Sequence, residues 1–142
     1  TVTDFALAAI FIFGTLALYD KITATPTSAA QKWAYILVLG STLLMLWAQM
    51  AVGIIGDGDN ASQHLYMLIA LLNIGALVCA KPTPRLAMAA LGLSVGLGVV
   101  GLYLAWDEPR IVSIFHLGLV SLWLWAIYLL APVRASNRRA PH

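Results

Sequence analysis

Charged residues are scarce in this chain. Only 10% of its 142 residues are Asp, Glu, Lys or Arg, whereas a soluble domain carries about 25%. So few charges cannot cover a water-facing surface, and 61% of the residues are hydrophobic. The long segments are apolar on every face, as helices surrounded by lipid must be. We therefore expect an all-α integral membrane protein with one membrane domain at residues 1–132 and a basic tail at residues 133–142.

Cysteine is nearly absent, and the basic residues form no patch. The single cysteine, Cys79, excludes an intramolecular disulfide, a CxxC redox pair and a cysteine-rich metal site. A formal net charge of +2, spread between apolar segments, does not favour nucleic acid as a partner. The chain also lacks a nucleophile–base motif, a phosphate-binding glycine loop and an HExxH motif, which weighs against an enzyme.

The chain contains five long apolar segments. They are Val2 to Tyr19, Trp33 to Gly56, Ala61 to Ala80, Leu86 to Trp106 and Ile111 to Ala131. Each can cross a hydrocarbon core of about 30 Å as a helix, and the short connections predict an up-and-down bundle. The chain opens without a basic n-region, so we expect the first segment to be retained and not cleaved. A four-span variant, with the first segment on the membrane surface, is the alternative.

The basic residues fall on one side of this predicted bundle. Seven of the eight lie in the first connection, the third connection and the tail, at Lys21, Lys32, Lys81, Arg85, Arg134, Arg138 and Arg139. Lysine and arginine near helix ends are retained in the cytoplasm. The sequence therefore predicts a cytoplasmic C-terminus, an N-terminus outside, and a multi-pass location that we expect to be the bacterial inner membrane.

Small residues recur four apart in the fourth segment. Gly92 and Gly96 form one pair, and Ser94 and Gly98 form another. This spacing lets helix backbones approach closely in lipid. The pairs are interpreted as helix-packing residues, either within the bundle or against a partner subunit or a large flat cofactor.

Gln49, His64 and His116 are the candidate cofactor-binding residues. Helical rise places the two histidines at similar depth near the outer ends of the third and fifth segments, with Gln49 near His116. Paired imidazoles are the minimum for bis-histidine haem ligation, and they also suit zinc or copper. The alternatives are an interfacial position for His64 beside Asp57 and Asp59, and interhelical hydrogen bonds for His116 and Gln49. Asn73 is also expected to form an interhelical bond.

Three functions are compatible with these features. The first is a small noncatalytic membrane subunit or assembly factor, because almost the whole chain is membrane helix; its expected partners are the lipid bilayer and other membrane proteins or further copies of the chain. The second is a haem- or metal-binding redox protein that uses His64 and His116. The third is a small transporter or channel, which the scarcity of intramembrane charge disfavours.

Overall fold

In a computed structural model, the described residues form five helices and no strand. The backbone is described for residues 1–52 and 60–139, and the side chains for residues 1–51 and 62–131. In chain order the helices are α1 Val2–Thr23, α2 Ala29–Val52, α3 Asn60–Cys79, α4 Pro84–Leu104 and α5 Arg110–Arg139. Each contains a stretch long and apolar enough to cross a membrane. This confirms the five predicted helices, and the architecture is compatible with a multi-pass membrane protein.

Local signals in the sequence set several helix ends. At the start of α2, the Ser28 backbone N–H donates to Gln31 Oε1 at 2.9 Å and the Gln31 N–H donates to Ser28 Oγ at 3.2 Å. This reciprocal pair is a capping box. Pro84 opens α4 at a position where no intrahelical N–H bond is needed. The described membrane-spanning stretch of α5 is Arg110–Ala131, and the backbone stays helical to Arg139, through much of the predicted tail.

Four of the helices form a closed bundle. Helix α2 packs against α3 and α5, and α4 packs against the same two helices from the opposite side. Helix α1 packs mainly against α2 and contains no buried residue. The bundle is therefore α2 to α5, with α1 attached to its outside.

The bundle has two ends that differ in charge. We call the end with the α1–α2 and α3–α4 connections the lysine end. The opposite end has the α4–α5 connection, which contains Asp107 and Glu108, and we call it the acidic end. At the lysine end, Lys81 Nζ donates to the Ile22 carbonyl oxygen at 2.9 Å and to Thr27 Oγ1 at 2.7 Å. One ammonium group thus joins both connections.

Candidate functional site

The three predicted site residues lie in different environments. His116, on α5, is buried with 1% of its surface exposed. Gln49, on α2, is half-buried, and His64, on α3, is exposed. Of the acidic residues in the connections on this side of the predicted bundle, Asp107 is exposed and Glu108 half-buried, while Asp57 and Asp59 lie outside the described residues. The structure therefore does not bring the two histidines into one buried site.

The partner of His116 is instead a tyrosine. The Tyr66 hydroxyl lies 2.7 Å from His116 Nε2, and His116 Nδ1 lies 2.8 Å from the Val112 carbonyl oxygen. A carbonyl oxygen only accepts, so Nδ1 carries the proton and donates to it. In the neutral imidazole, Nε2 then accepts from the Tyr66 hydroxyl. This confirms the predicted interhelical bond of His116 and joins α3 to α5.

Helix α4 makes room for this bond with a glycine. A Cβ atom at Gly101 would lie 2.9 Å from both Cδ2 and Nε2 of His116, closer than side chains normally approach. Leu65 on α3 would lie 3.5 Å from the same Cβ. Only glycine leaves space at this position for the imidazole between α3, α4 and α5.

This geometry does not fit an iron or other metal held between His64 and His116. Both nitrogens of His116 are within hydrogen-bond distance of protein oxygens, and the edge of the ring that bears Nε2 faces the α4 backbone at Gly101. His64 is exposed. Among the residues that the structure describes, no group of three or more His, Cys, Asp or Glu side chains is placed to hold a metal ion.

A second set of polar contacts crosses the middle of the bundle. We call it the central polar layer, and it consists of Ser41, Thr42, Asn73, Ser94 and Trp123. Asn73 Nδ2 donates to Thr42 Oγ1 at 2.8 Å, which joins α3 to α2. Trp123 Nε1 donates to Ser41 Oγ at 2.9 Å, which joins α5 to α2. The predicted interhelical bond of Asn73 is confirmed.

The helix register places Ser94 in this layer. Gly101 on α4 is in contact with His116 on α5. About two turns closer to the lysine end, these antiparallel helices carry Ser94 and Trp123, respectively. The same shift from Tyr66 leads to Asn73 on α3. Positions two turns apart share a helix face. The central polar layer therefore lies between the same helix faces as the tyrosine–histidine pair, but closer to the lysine end.

Two oxygen atoms in the central polar layer have no hydrogen-bond partner. They are Asn73 Oδ1 and Ser94 Oγ, on side chains that are fully buried. By contrast, the Ser41 hydroxyl both accepts from Trp123 and donates to the Val38 carbonyl oxygen at 3.1 Å. None of the buried polar side chains in the described part of the chain belongs to Asp, Glu, Lys or Arg. The described interior thus holds neutral groups, most of which join helices.

The two predicted packing pairs on α4 face opposite directions. Ser94 is buried, and a Cβ at Gly98 would lie 2.7 Å from Val120 Cγ2 and 3.0 Å from Trp123 Cζ3. Gly92 and Gly96 are exposed, and a Cβ at either would meet nothing within 4 Å. One pair therefore packs inside the bundle, and the other lies on its outer surface.

Sequence reasoning missed Tyr66 as a functional partner. Aromatic residues near helix ends commonly mark the membrane interface, so a tyrosine at this position gives no signal of a bond inside the bundle. Tyr66 and His116 lie at similar distances from the starts of their parallel helices, which was the one signal that could have linked them.

The chain matches no family model, no curated protein and no solved structure. Its function is therefore inferred from its own residues.

Proposed function

We propose that this chain is a small noncatalytic subunit or assembly factor of a larger membrane complex. The main support is α1, a helix of membrane-spanning length that contains no buried residue. Ile10 and Phe13, on the face away from α2, are 64% and 69% exposed. A helix attached by one side leaves the other side available to a neighbouring protein.

The outer face of α4 supports the same proposal. Gly92 and Gly96 form a small-residue pair in open space, and this spacing allows close approach of another transmembrane helix. The bundle does not use this pair, because Ser94 and Gly98 supply its internal contact. We propose the Gly92 and Gly96 face as the contact for a partner protein.

The interior also favours a role in assembly over chemistry. Buried polar groups in the described residues are neutral, and His116 uses both nitrogens in bonds to protein oxygens. Transport paths usually contain ionisable groups within the membrane. The redox and transport hypotheses stay predictions with less support than the first.

We further propose that the lysine end faces the cytoplasm of a bacterium and that the acidic end faces outward. Lys81 lies at the lysine end with the α1–α2 connection, and the positive-inside rule retains such residues in the cytoplasm. This orientation puts the start of α1 outside and the end of α5 inside.

The partner proposal is tested by purifying the full chain in a mild detergent and measuring the mass of the particle. We expect a complex heavier than one copy of the chain, containing at least one further membrane protein. Gly96→Leu should remove that protein, because the larger side chain keeps the helices apart. Gly75→Leu is the matched control, since Gly75 on α3 is also exposed with open space around it.

A monomer of the unmodified chain, with its lipid and detergent, would overturn the proposal. So would Gly96→Leu and Gly92→Leu variants that retain the partner as well as the unmodified chain does. Partner loss in Gly75→Leu as well would show that the α4 face is not the specific contact.

A further inference from the structure

The α1–α2 connection surrounds the ammonium group of a lysine from another part of the chain. Four oxygen atoms lie within hydrogen-bond distance of Nζ of Lys81, which belongs to the α3–α4 connection. Two are the carbonyl oxygens of Ile22 and Thr25, at 2.9 and 3.2 Å. The other two are the hydroxyl oxygens of Thr25 and Thr27, at 2.5 and 2.7 Å. We call these four neutral oxygen atoms the ammonium cage.

Local structure arranges the cage oxygens as acceptors. The Thr27 hydroxyl donates its proton to the Thr25 carbonyl oxygen at 2.7 Å, which leaves the lone pairs of Thr27 Oγ1 for Lys81. Ile22 lies in the last turn of α1, where carbonyl oxygens have no partner within the helix and the helix dipole favours a cation. The connection therefore suits a positively charged hydrogen-bond donor.

Helix α1 has few other contacts that could fix its position. It packs mainly against α2 and contains no buried residue. Leu18, Tyr19 and Ile22 make apolar contacts with the bundle core near the lysine end. Apolar contacts hold a helix only weakly in lipid, because the surrounding hydrocarbon is equally apolar. The ammonium cage adds directional bonds that join the end of α1 to the α3–α4 connection.

We propose that the α1–α2 connection is a binding site for a primary ammonium group, that Lys81 supplies this group, and that the contact fixes α1 on the bundle. A primary ammonium has three N–H donors on one nitrogen, which matches oxygens that converge on a single point. Lys21 and Lys32, at the same end, are exposed, whereas Lys81 is half-buried. The inference does not depend on the proposed protein partner, because the contact lies within one chain.

The experiment measures how firmly α1 is held in the purified full chain. Spin labels are attached through Ala6→Cys on α1 and Leu71→Cys on α3, both at exposed positions, in a Cys79→Ser background. Pulsed electron paramagnetic resonance in lipid nanodiscs gives the distribution of distances between the labels. The distribution should be narrow with Lys81 and broad in Lys81→Ala, because α1 loses its bonds to the α3–α4 connection. Lys32→Ala is the matched control and should keep the narrow distribution.

Chemical rescue tests whether the cage recognises an ammonium group. Propylammonium replaces the atoms that Lys81→Ala removes, and it should restore the narrow distribution in that variant. Tetramethylammonium carries the same charge but has no N–H donor, so it should leave the distribution broad.

A second pair of variants tests the cage with the lysine in place, and decides the question if Lys81→Ala does not fold. Thr27→Val replaces a cage hydroxyl by a methyl group of similar size and should broaden the distribution. Thr23→Val is the control, because Thr23 Oγ1 donates to the Tyr19 carbonyl oxygen within α1 and is not part of the cage. Its distribution should stay narrow.

Several results would show the proposal to be wrong. One is a broad distribution in the unmodified chain, and another is a narrow distribution in Lys81→Ala. Failure of propylammonium to restore the narrow distribution, or equal restoration by tetramethylammonium, would show that the cage does not select an N–H donor. Equal distributions in Thr27→Val and Thr23→Val would show that the cage hydroxyl does not hold α1.

Discussion

His116 is the buried residue whose environment the sequence described least completely. The prediction of a hydrogen bond between helices was correct, and the partner is Tyr66 and not the second predicted histidine. The sequence gives depth along each helix but not the angle of each side chain around it. His64 and Tyr66 are only two residues apart on α3, yet one is exposed and the other buried.

Loss of the Tyr66 hydroxyl should destabilise the bundle. Tyr66→Phe leaves His116 Nε2 buried without its donor, and we expect the free energy of unfolding to fall by about 1–2 kcal/mol. Unfolding in increasing SDS measures it. Tyr103→Phe is the control, because Tyr103 is 77% exposed. Equal stability of the two variants would mean that the bond contributes nothing.

Two serines in the central polar layer should respond differently to the same change. Ser41→Ala leaves the Trp123 N–H without its acceptor and should cost about 1 kcal/mol. Ser94→Ala removes a buried hydroxyl that has no partner, so stability should stay the same or increase. The same SDS titration compares them, and a larger loss in Ser94→Ala would contradict the assigned bonds.

At the scale of helices, the apolar segments predicted all five elements but not their packing. Gly92 and Gly96 have the same spacing as Ser94 and Gly98, and the pairs are offset by two residues, which is more than half a turn of helix. Either pair could face inward on spacing alone. The large side chain of Trp123 on α5, which fills the space at Gly98, decides between them.

The packing of helix α1 could not be predicted from the sequence either. It is as long and apolar as the other four, and an all-round apolar helix gives no indication of which face, if any, packs against the bundle. Helix α1 lies outside because α2 to α5 pack against one another and close the bundle without it. The polar contacts between these helices involve residues such as Asn73 and Trp123, and α1 has no comparable bond to the interior among the described side chains.

Adding one methyl group should distinguish the inner and outer glycines of α4. Gly101→Ala places a Cβ 2.9 Å from the His116 ring and should destabilise the fold by about 1–3 kcal/mol. Gly96→Ala meets open space, and since alanine favours helix over glycine, it should be neutral or slightly stabilising. Equal effects in thermal unfolding would contradict the placement of Gly101 against His116.

At the scale of the whole molecule, the proposed orientation is open to a labelling test. In a Cys79→Ser background, Thr25→Cys at the lysine end should react with an impermeant thiol reagent only after the membrane is opened. Asp107→Cys at the acidic end should react in intact cells. The reverse pattern would contradict a cytoplasmic lysine end, and labelling of both sites from outside would contradict five spans.

The central claim is that the chain works as part of a larger membrane complex. Photo-cross-linking in intact cells from Ile10, on the exposed face of α1, and from Gly96, on the outer face of α4, tests it most directly. We predict a product that joins the chain to a different membrane protein and that is absent when the cross-linker replaces Leu91, which is fully buried. Products that contain only lipid at both Ile10 and Gly96 would contradict the claim.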